Sequence, residues 1–330
     1  MQFGLTLMAV DPPATFRESV RFADANGYAF MWVADSSLHA RYVYSYLTLL
    51  AIDSARLRFG PNCTHPHTRH PALNFNALCT LDELSGGRAV MNLGAGDRPV
   101  TELGYKIAKL QTVRDMVQAG RALLQGDPVD YPAEAFQLHH AAIPYGARAD
   151  LPIYLTVTNQ RMCQLAGEIA DGVLLSCGSA RPCLEFALAQ VQAGAQRAGR
   201  TPNDLDIACH LFVSIRDDRA QAREDTRIIA AWYPQTAPRY VELAGFDADL
   251  VDKVKAAYRG SHFHEAAAAA RLIPDDFIDQ FTLAGPPGYC VDRINELRDL
   301  GLTHFEIFPV GGDRHATARR FAREVIPHLN

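Results

Sequence analysis

One short segment of the chain concentrates residue types that bind metal ions. The stretch NCTHPHTRHPA, residues 62–72, contains one cysteine and three histidines: Cys63, His65, His67 and His70. In an extended chain alternate residues point to the same side, and thiolate and imidazole groups are zinc ligands. Pro66 and Pro71 interrupt the stretch, however, and the residue before a proline is restricted to extended geometry, which turns His70 away from Cys63. We therefore expect a stiff loop that holds no metal.

Composition favours a folded protein that binds a small molecule. Of the 330 residues 48% are apolar and 21% are charged, which is typical of a large buried core. A net charge of -5 and the absence of basic clusters disfavour nucleic acid as a partner. We find neither a long apolar run nor a signal peptide and expect no membrane segment. Seven cysteines without a CxxC pair indicate a reduced, cytoplasmic protein.

Eight apolar runs alternate with helical patterns along the chain: FGLTLMAV, AFMWVAD, RLRFGPN, RAVMNLGAGD, LPIYLTVTN, DGVLLSC, DLDIACHLFVSI and THFEIFPV. Strands buried on both faces, each followed by a helix, are typical of a parallel sheet. Eight such units without a long linker predict one α/β domain over residues 1–330, a (β/α)8 TIM barrel. Residues 126–150 and 218–280 interrupt the alternation and are interpreted as insertions, and residues 232–280 would cover the substrate.

Catalytic residues of a (β/α)8 barrel lie at the carboxyl ends of its strands. Here those ends carry small residues, hydroxyls and two carboxylates, Asp35 and Asp97. Such a ring of residues suits a large flat ligand with an anionic tail better than it suits a metal. Asp35 is open to two interpretations, a helix cap after a strand or a carboxylate at the barrel mouth that takes part in proton transfer. The absence of a GxSxG motif disfavours a hydrolase triad.

Four longer stretches carry a family resemblance: MQFGLTL, WVADSS, GPNCTHPHTRHPALNFNALCTLDELSGGRAVMNLGAGD and PIYLTVTNQRMCQLAGEIADGVLLSCGS. In this order they resemble the bacterial-luciferase-like oxidoreductases, and within them the coenzyme F420-dependent, methylenetetrahydromethanopterin reductase-like branch. The resemblance implies a luciferase-like TIM barrel with insertions that forms a homodimer. It also implies an F420-dependent oxidoreductase, which transfers a hydride between the reduced deazaflavin and a small substrate of the methylene-tetrahydropterin or folate class.

The resemblance also assigns site residues. It implies a non-proline cis peptide bond at Asn62–Cys63, after the third strand, where the backbone would press on the deazaflavin ring. Asp35, His65 and Asp97 are the implied catalytic residues. The implied cofactor-binding residues are Asn62, Cys63, Thr64, Gly94, Ala95, Gly96 and Asp97 around the ring, Thr156, Val157, Thr158 and Gln160 along the hydroxylated chain, Gly172 and Val173 in the sixth strand, and Ser176, Cys177, Gly178 and Ser179 around the phosphate.

One departure from the family pattern affects the expected substrate. The methylenetetrahydromethanopterin reductases carry a glutamate in the first strand where this chain has Thr6, so the proton donor would move to Asp35 or Asp97. The sequence also does not distinguish F420 from FMN as the cofactor, because both have a flat ring and a phosphate-bearing tail. The alternatives are therefore an FMN-dependent luciferase-like monooxygenase and a non-catalytic barrel that only binds a flavin or pterin.

Overall fold

The computed structural model describes residues 1–36, 38–258 and 266–329. The strands in this part are β1 (Gln2–Met8), β2 (Phe30–Ala34), β3 (Arg58–Pro61), β4 (Met91–Leu93), β5 (Val129–Pro132), β6 (Gln137–Ala141), β7 (Ile153–Val157), β8 (Gly172–Leu175), β9 (Asp206–Ile215), β10 (Leu283–Gly285) and β11 (His304–Pro309). The helices are α1 (Pro13–Ala25), α2 (Val43–Asp53), α3 (Pro71–Ser85), α4 (Arg98–Thr101), α5 (Leu110–Leu123), α6 (Gln160–Ile169), α7 (Arg181–Arg197), α8 (Arg219–Ala230), α9 (Tyr233–Thr236), α10 (Pro238–Leu243), α11 (Ala248–Ala257), α12 (Ala267–Ala270), α13 (Asp275–Phe281), α14 (Pro287–Arg298) and α15 (Arg314–Arg320). A π-helical turn (Phe321–Val325) continues α15.

Eight of these strands form a parallel barrel. Their order is β3-β2-β1-β11-β9-β8-β7-β4, and isolated bridges Phe59–Ala89 and Thr64–Leu93 join the β3 edge to the β4 edge. The first strand pairs with the last, so that Gln2 lies opposite His304. The short strand β10 pairs in parallel with the carboxyl-terminal end of β9. The predicted (β/α)8 barrel is confirmed, and each strand end that was expected to carry chemistry lies at one mouth of it.

Apolar residues on both faces of the strands explain why the barrel forms. All five residues of β2 are buried: Phe30 and Trp32 face the barrel interior, whereas Met31 and Val33 pack under the helices. The interior core consists of Phe30, Trp32, Val90, Tyr154, Leu174 and Ala208. The main core lies between the barrel and its helices. Because both faces are buried, the strands appear in the sequence as continuous apolar runs.

The two interruptions of the alternation differ in structure. Residues 126–150 contain the antiparallel hairpin of β5 and β6, which the sequence did not predict. Residues 218–280 contain the helices α8 to α13, and α8 packs on β9 and β10. The predicted cover also includes residues 259–265, with His262 and His264, which lie outside the described residues.

A hydrogen-bonded polar cluster lies among the apolar side chains of the barrel interior. Trp32 Nε1 donates to Glu306 Oε1 over 2.5 Å, and His304 bridges Glu306 and Asp206 over 2.9 and 3.0 Å. The Tyr154 hydroxyl donates to Asp206 over 2.6 Å. Burial opposes a charge on His304, but its bonds to Asp206 and Glu306 raise its pKa to about 9. Burial also raises the pKa of Glu306, so the two neighbours hold protons more readily than free side chains do. The bond from His304 to Asp206 links β11 to β9.

Candidate functional site

The carboxyl ends of the barrel strands surround a cavity of about 840 Å³. A space of this size lies within the range of small-molecule sites. Polar residues and glycines from the loops after β2, β3 and β4 line one side, and residues of β9 and α8 line the other. The cavity brings together eleven residues predicted for the site: Asp35, Asn62, Cys63, His65, Gly94, Ala95, Gly96, Asp97, Thr156, Thr158 and Ser176.

The backbone turns sharply at the end of β3. The Asn62–Cys63 peptide bond is cis, as the resemblance implied. The Cys63 side chain packs against Gly94 on the neighbouring turn, where an added Cβ would lie 2.4 Å from the sulfur. Burial raises the pKa of the Cys63 thiol to about 12, so the thiol is neutral and packs as a small apolar group. Backbone and one neutral thiol therefore form this part of the cavity wall.

Four amide and hydroxyl side chains form a hydrogen-bonded network beside this turn: Thr6, Asn62, Asn92 and Thr156. Asn62 Nδ2 donates to the Thr6 hydroxyl over 3.0 Å, and Asn62 Oδ1 accepts from the Asn92 amide over 3.1 Å. The Thr156 hydroxyl lies 3.2 and 3.0 Å from the amide oxygens of Asn62 and Asn92. Because these residues come from four different parts of the barrel, they fix the Asn62 amide and the turn that follows it.

Asp35 follows β2 and is 5% exposed. Both of its oxygens accept from Arg69, over 2.5 Å from Nη1 and 3.0 Å from Nη2. Arg69 is itself held over the rings of Tyr42 and Tyr44, and its Nη1 also donates to the Thr64 hydroxyl. A carboxylate in a bidentate pair is a fixed acceptor, which favours an anchoring role for Asp35 over a proton-donating one.

Asp97 and His65 lie on neighbouring turns at the cavity. His65 is 3% exposed and packs on the turn at Gly96, and its Nδ1 has no hydrogen-bond partner among residues 1–36, 38–258 and 266–329. Burial lowers the pKa of His65. Asp97 is exposed at the cavity surface, but desolvation by the surrounding protein raises its pKa, and each group opposes the shift of the other. Asp97 therefore keeps a proton more readily than an ordinary aspartate, as a proton donor requires.

The side chains of His67 and His70 make their contacts away from Cys63. His67 stacks on Tyr105 with ring centroids 6.0 Å apart, and His70 caps α3 by accepting from the Ala72 N–H. No group of three metal-ligating side chains converges in the part of the chain that the structure describes. The segment is a structured loop between β3 and α3 that delivers Cys63 and His65 to the cavity.

Eight further predicted residues lie outside the cavity wall: Thr64, Val157, Gln160, Gly172, Val173, Cys177, Gly178 and Ser179. Val157 and Val173 point into the main core, and Gln160 is exposed at the start of α6. The Ser179 hydroxyl donates within the protein, to backbone carbonyls just before β10. Of the four residues predicted around the phosphate, Ser176 alone reaches the described cavity, and a phosphate contact at the other three remains a prediction.

Sequence reasoning missed the residues of the opposite wall. His210 and Phe212 from β9 and Phe308 from β11 line it, together with Ile228 from α8 and the nearby Trp232. The strand-end rule pointed to these positions on β9 and β11 but gave no reason to select their side chains. α8 belongs to the 218–280 insertion. Hydrophobic periodicity can identify a helix, but it does not show which part of the barrel an inserted helix packs against.

Known sequences and structures resemble this chain over its full length. Residues 1–304 match the family model of the luciferase-like monooxygenases. The chain belongs to this family. It is 32% identical to the 5,10-methylenetetrahydromethanopterin reductase of Archaeoglobus fulgidus, with 100% of both chains covered. It is 30% identical to the enzyme of that name from Methanopyrus kandleri, with 100% of this chain and 99% of the relative covered.

The luciferase-like barrel also superposes on a solved structure. The coenzyme F420-dependent tetrahydromethanopterin reductase from Methanopyrus kandleri matches with a TM-score of 0.87 and 28% identity, over 100% of this chain and 99% of that one. The predictions of the family and of an oxidoreductase are therefore confirmed. Among the described helices, none is both long and apolar enough to span a bilayer.

Proposed function

We propose that this luciferase-like protein is a coenzyme F420-dependent oxidoreductase that transfers a hydride between the reduced deazaflavin and a methylene-bearing tetrahydropterin. The relatives at 30–32% identity over nearly their whole length are methylenetetrahydromethanopterin reductases. The observation that carries the proposal is a cavity large enough for a tricyclic ring, walled on one side by the backbone of the turns 62–63 and 94–96.

The residues at this wall fit a flat ring with polar edges. The turn 94–96 lines the cavity with backbone rather than large side chains, beside the neutral Cys63 thiol. Gly96 has a φ of +91°, a conformation that favours glycine and lets the turn stay close to the wall. Thr158 and Ser176 add hydroxyls farther around the cavity, where a hydroxylated and phosphorylated tail would bind.

Bound F420 supplies the hydride, and the chain supplies position, exclusion of water and a proton. Conversion of a methylene bridge to a methyl group breaks one carbon–nitrogen bond and leaves a nitrogen that must be protonated. Asp97 is the residue that holds this proton, because it lines the cavity, is open to a bound substrate and has a pKa raised by desolvation. The Asp35–Arg69 pair holds a fixed acceptor at the same mouth.

Thr6 supports the assignment of the proton to Asp97. Its hydroxyl accepts from the Asn62 amide, so it supports Asn62 and carries no acid into the cavity. Asp35 is bound on both oxygens by Arg69. Of the two carboxylates predicted as catalytic, Asp97 is therefore the better donor.

Binding and turnover of the purified protein test this function. We expect F420 to bind at least about tenfold more tightly than FMN, a difference of roughly 1.4 kcal/mol, in parallel titrations. Reduced F420 should then be oxidised in the presence of a methylene-tetrahydropterin, with formation of the methyl product. Preferred binding of FMN, or oxygen-dependent turnover of reduced FMN without use of F420, contradicts the proposal.

We also propose that the protein is a cytoplasmic homodimer. The homodimer rests on the family resemblance, and the reducing compartment rests on the seven cysteines, all of which are free. Light scattering should therefore give twice the chain mass of 36.3 kDa, and the mass of one chain would contradict the dimer.

A further inference from the structure

His210 is a buried polar side chain whose ring makes no hydrogen bond within the described residues. It lies on β9, is 6% exposed and lines the cavity. Neither of its ring nitrogens has a hydrogen-bond partner within the described residues. A buried imidazole without partners destabilises the free protein, because its bonds to water have been lost. A functional ligand that enters the cavity is the natural source of the missing partner.

β9 stands opposite the Asn62–Cys63 turn. Four steps around the barrel separate β3 from β9 in either direction, through β4, β7 and β8 or through β2, β1 and β11. A ring held against Asn62–Cys63 therefore leaves the far part of the cavity, in front of His210, for a second molecule. The apolar side chains of Ile228 and Ile229 from α8 cover this part.

The surroundings of His210 keep it neutral. Its ring centroid lies 5.2 Å from that of Phe212, which it meets edge-on, and 5.8 Å from that of Phe308. Burial lowers the pKa of His210 to about 4, so at neutral pH one ring nitrogen donates and the other accepts. A neutral imidazole in an apolar wall recognises a polar group and does not act as an acid at this pH.

We propose that His210 is a specificity-determining residue that hydrogen-bonds the heterocycle of the substrate. This inference rests on the proposed function and extends it, because it states which feature of the substrate is recognised. The chemical class is a planar heterocycle with a lactam edge, such as a pterin, which offers a carbonyl acceptor beside an N–H donor. An analogue without that edge would leave the buried imidazole unpaired and is therefore rejected.

Two substitutions separate hydrogen bonding from shape. His210→Gln keeps a donor and an acceptor, whereas His210→Phe keeps a flat ring without either. The dissociation constant for F420 and the KM and kcat with reduced F420 and a methylene-tetrahydropterin are measured for both. His139→Gln, at an exposed position of the β5–β6 hairpin, is the matched control. We expect His210→Phe to raise KM about tenfold or more at unchanged F420 affinity, and His210→Gln to recover most of the loss.

Thermal unfolding of the same variants separates a recognition role from a structural one. Because His210→Phe removes a buried group without partners, it should melt at the wild-type temperature or above. A clearly lowered melting temperature in both variants overturns the inference, and so does a wild-type KM in folded His210→Phe. The inference is also overturned if His210→Phe weakens only the binding of F420. If the wild-type protein does not oxidise reduced F420 with any methylene-tetrahydropterin, the proposed function fails and this inference fails with it.

Discussion

At the scale of single residues, several groups on the cavity wall have a charge that is paired or absent. Asp35 is bound by Arg69, Cys63 keeps its proton, and burial holds His210 neutral. Asp97 differs, since it is exposed at the cavity surface and desolvation raises its pKa, which favours its protonated form. A wall with little free charge attracts little water, which protects a hydride in transfer.

Cys63→Phe tests this wall directly. The sulfur already packs on Gly94, at a point where an added Cβ would be only 2.4 Å away, so a phenyl ring must turn into the cavity. We expect the dissociation constant for F420 to rise about tenfold or more. Cys63→Ala shortens the side chain and serves as the control, which should bind F420 within about threefold of wild type. Fluorescence titration measures both, and equal affinity of the two folded variants contradicts the placement of the ring.

Residue types and strand-end position predicted part of the site. They selected Asp35 and Asp97, and the family resemblance added Asn62 and Cys63; all four line the cavity. They did not predict the partner of Asp35, because Arg69 lies 34 positions away and reaches it through a loop whose course no spacing shows. The unpartnered state of His210 is likewise visible only when every neighbour of its ring is in place.

At the scale of elements, strands were predictable where both of their faces are buried. All four residues of β8 are buried, and the sequence shows them as one apolar run. The hairpin strands β5 and β6 are partly exposed and carry no such run, which is why they were missed. β4 ends at Leu93, and the turn 94–96 at the end of the run RAVMNLGAGD lines the cavity.

The His304 cluster, which joins β11 to β9, makes stability depend on pH. With its pKa raised to about 9, His304 keeps its proton in the folded barrel, whereas the unfolded chain loses it near pH ~6.5. Its contribution is therefore complete below the unfolded pKa and is lost as pH rises through the folded one. We expect the free energy of unfolding to fall by roughly 1–2 kcal/mol between about pH 6.5 and 8.

Denaturant unfolding of the wild type and His304→Gln at those two pH values measures the effect. The cysteines begin to ionise in the unfolded chain at about pH 8 and also lower the stability, but they do so equally in the wild type and in His304→Gln. The fall should be smaller in His304→Gln by roughly 1–2 kcal/mol and should keep its wild-type size in His139→Gln, whose histidine is exposed. A fall of equal size in His304→Gln would show that another group is responsible.

At the scale of the whole molecule, the barrel assembles one cavity from residues far apart in the chain. Asn62, Asp97, Thr158 and His210 meet there because their strands end at the same mouth. Alternating strands and helices were sufficient to predict this fold class. The cover was not predictable in detail, since the packing of α8 on β9 and β10 depends on contacts between distant segments.

A crystal structure of the protein with bound F420 tests the central claim most directly. We expect the tricyclic ring to lie against the Asn62–Cys63 turn, with the turn 94–96 beside it and His210 across an open space that remains for the substrate. Electron density for the ring outside the cavity that Asn62, Asp97 and His210 share would contradict the account.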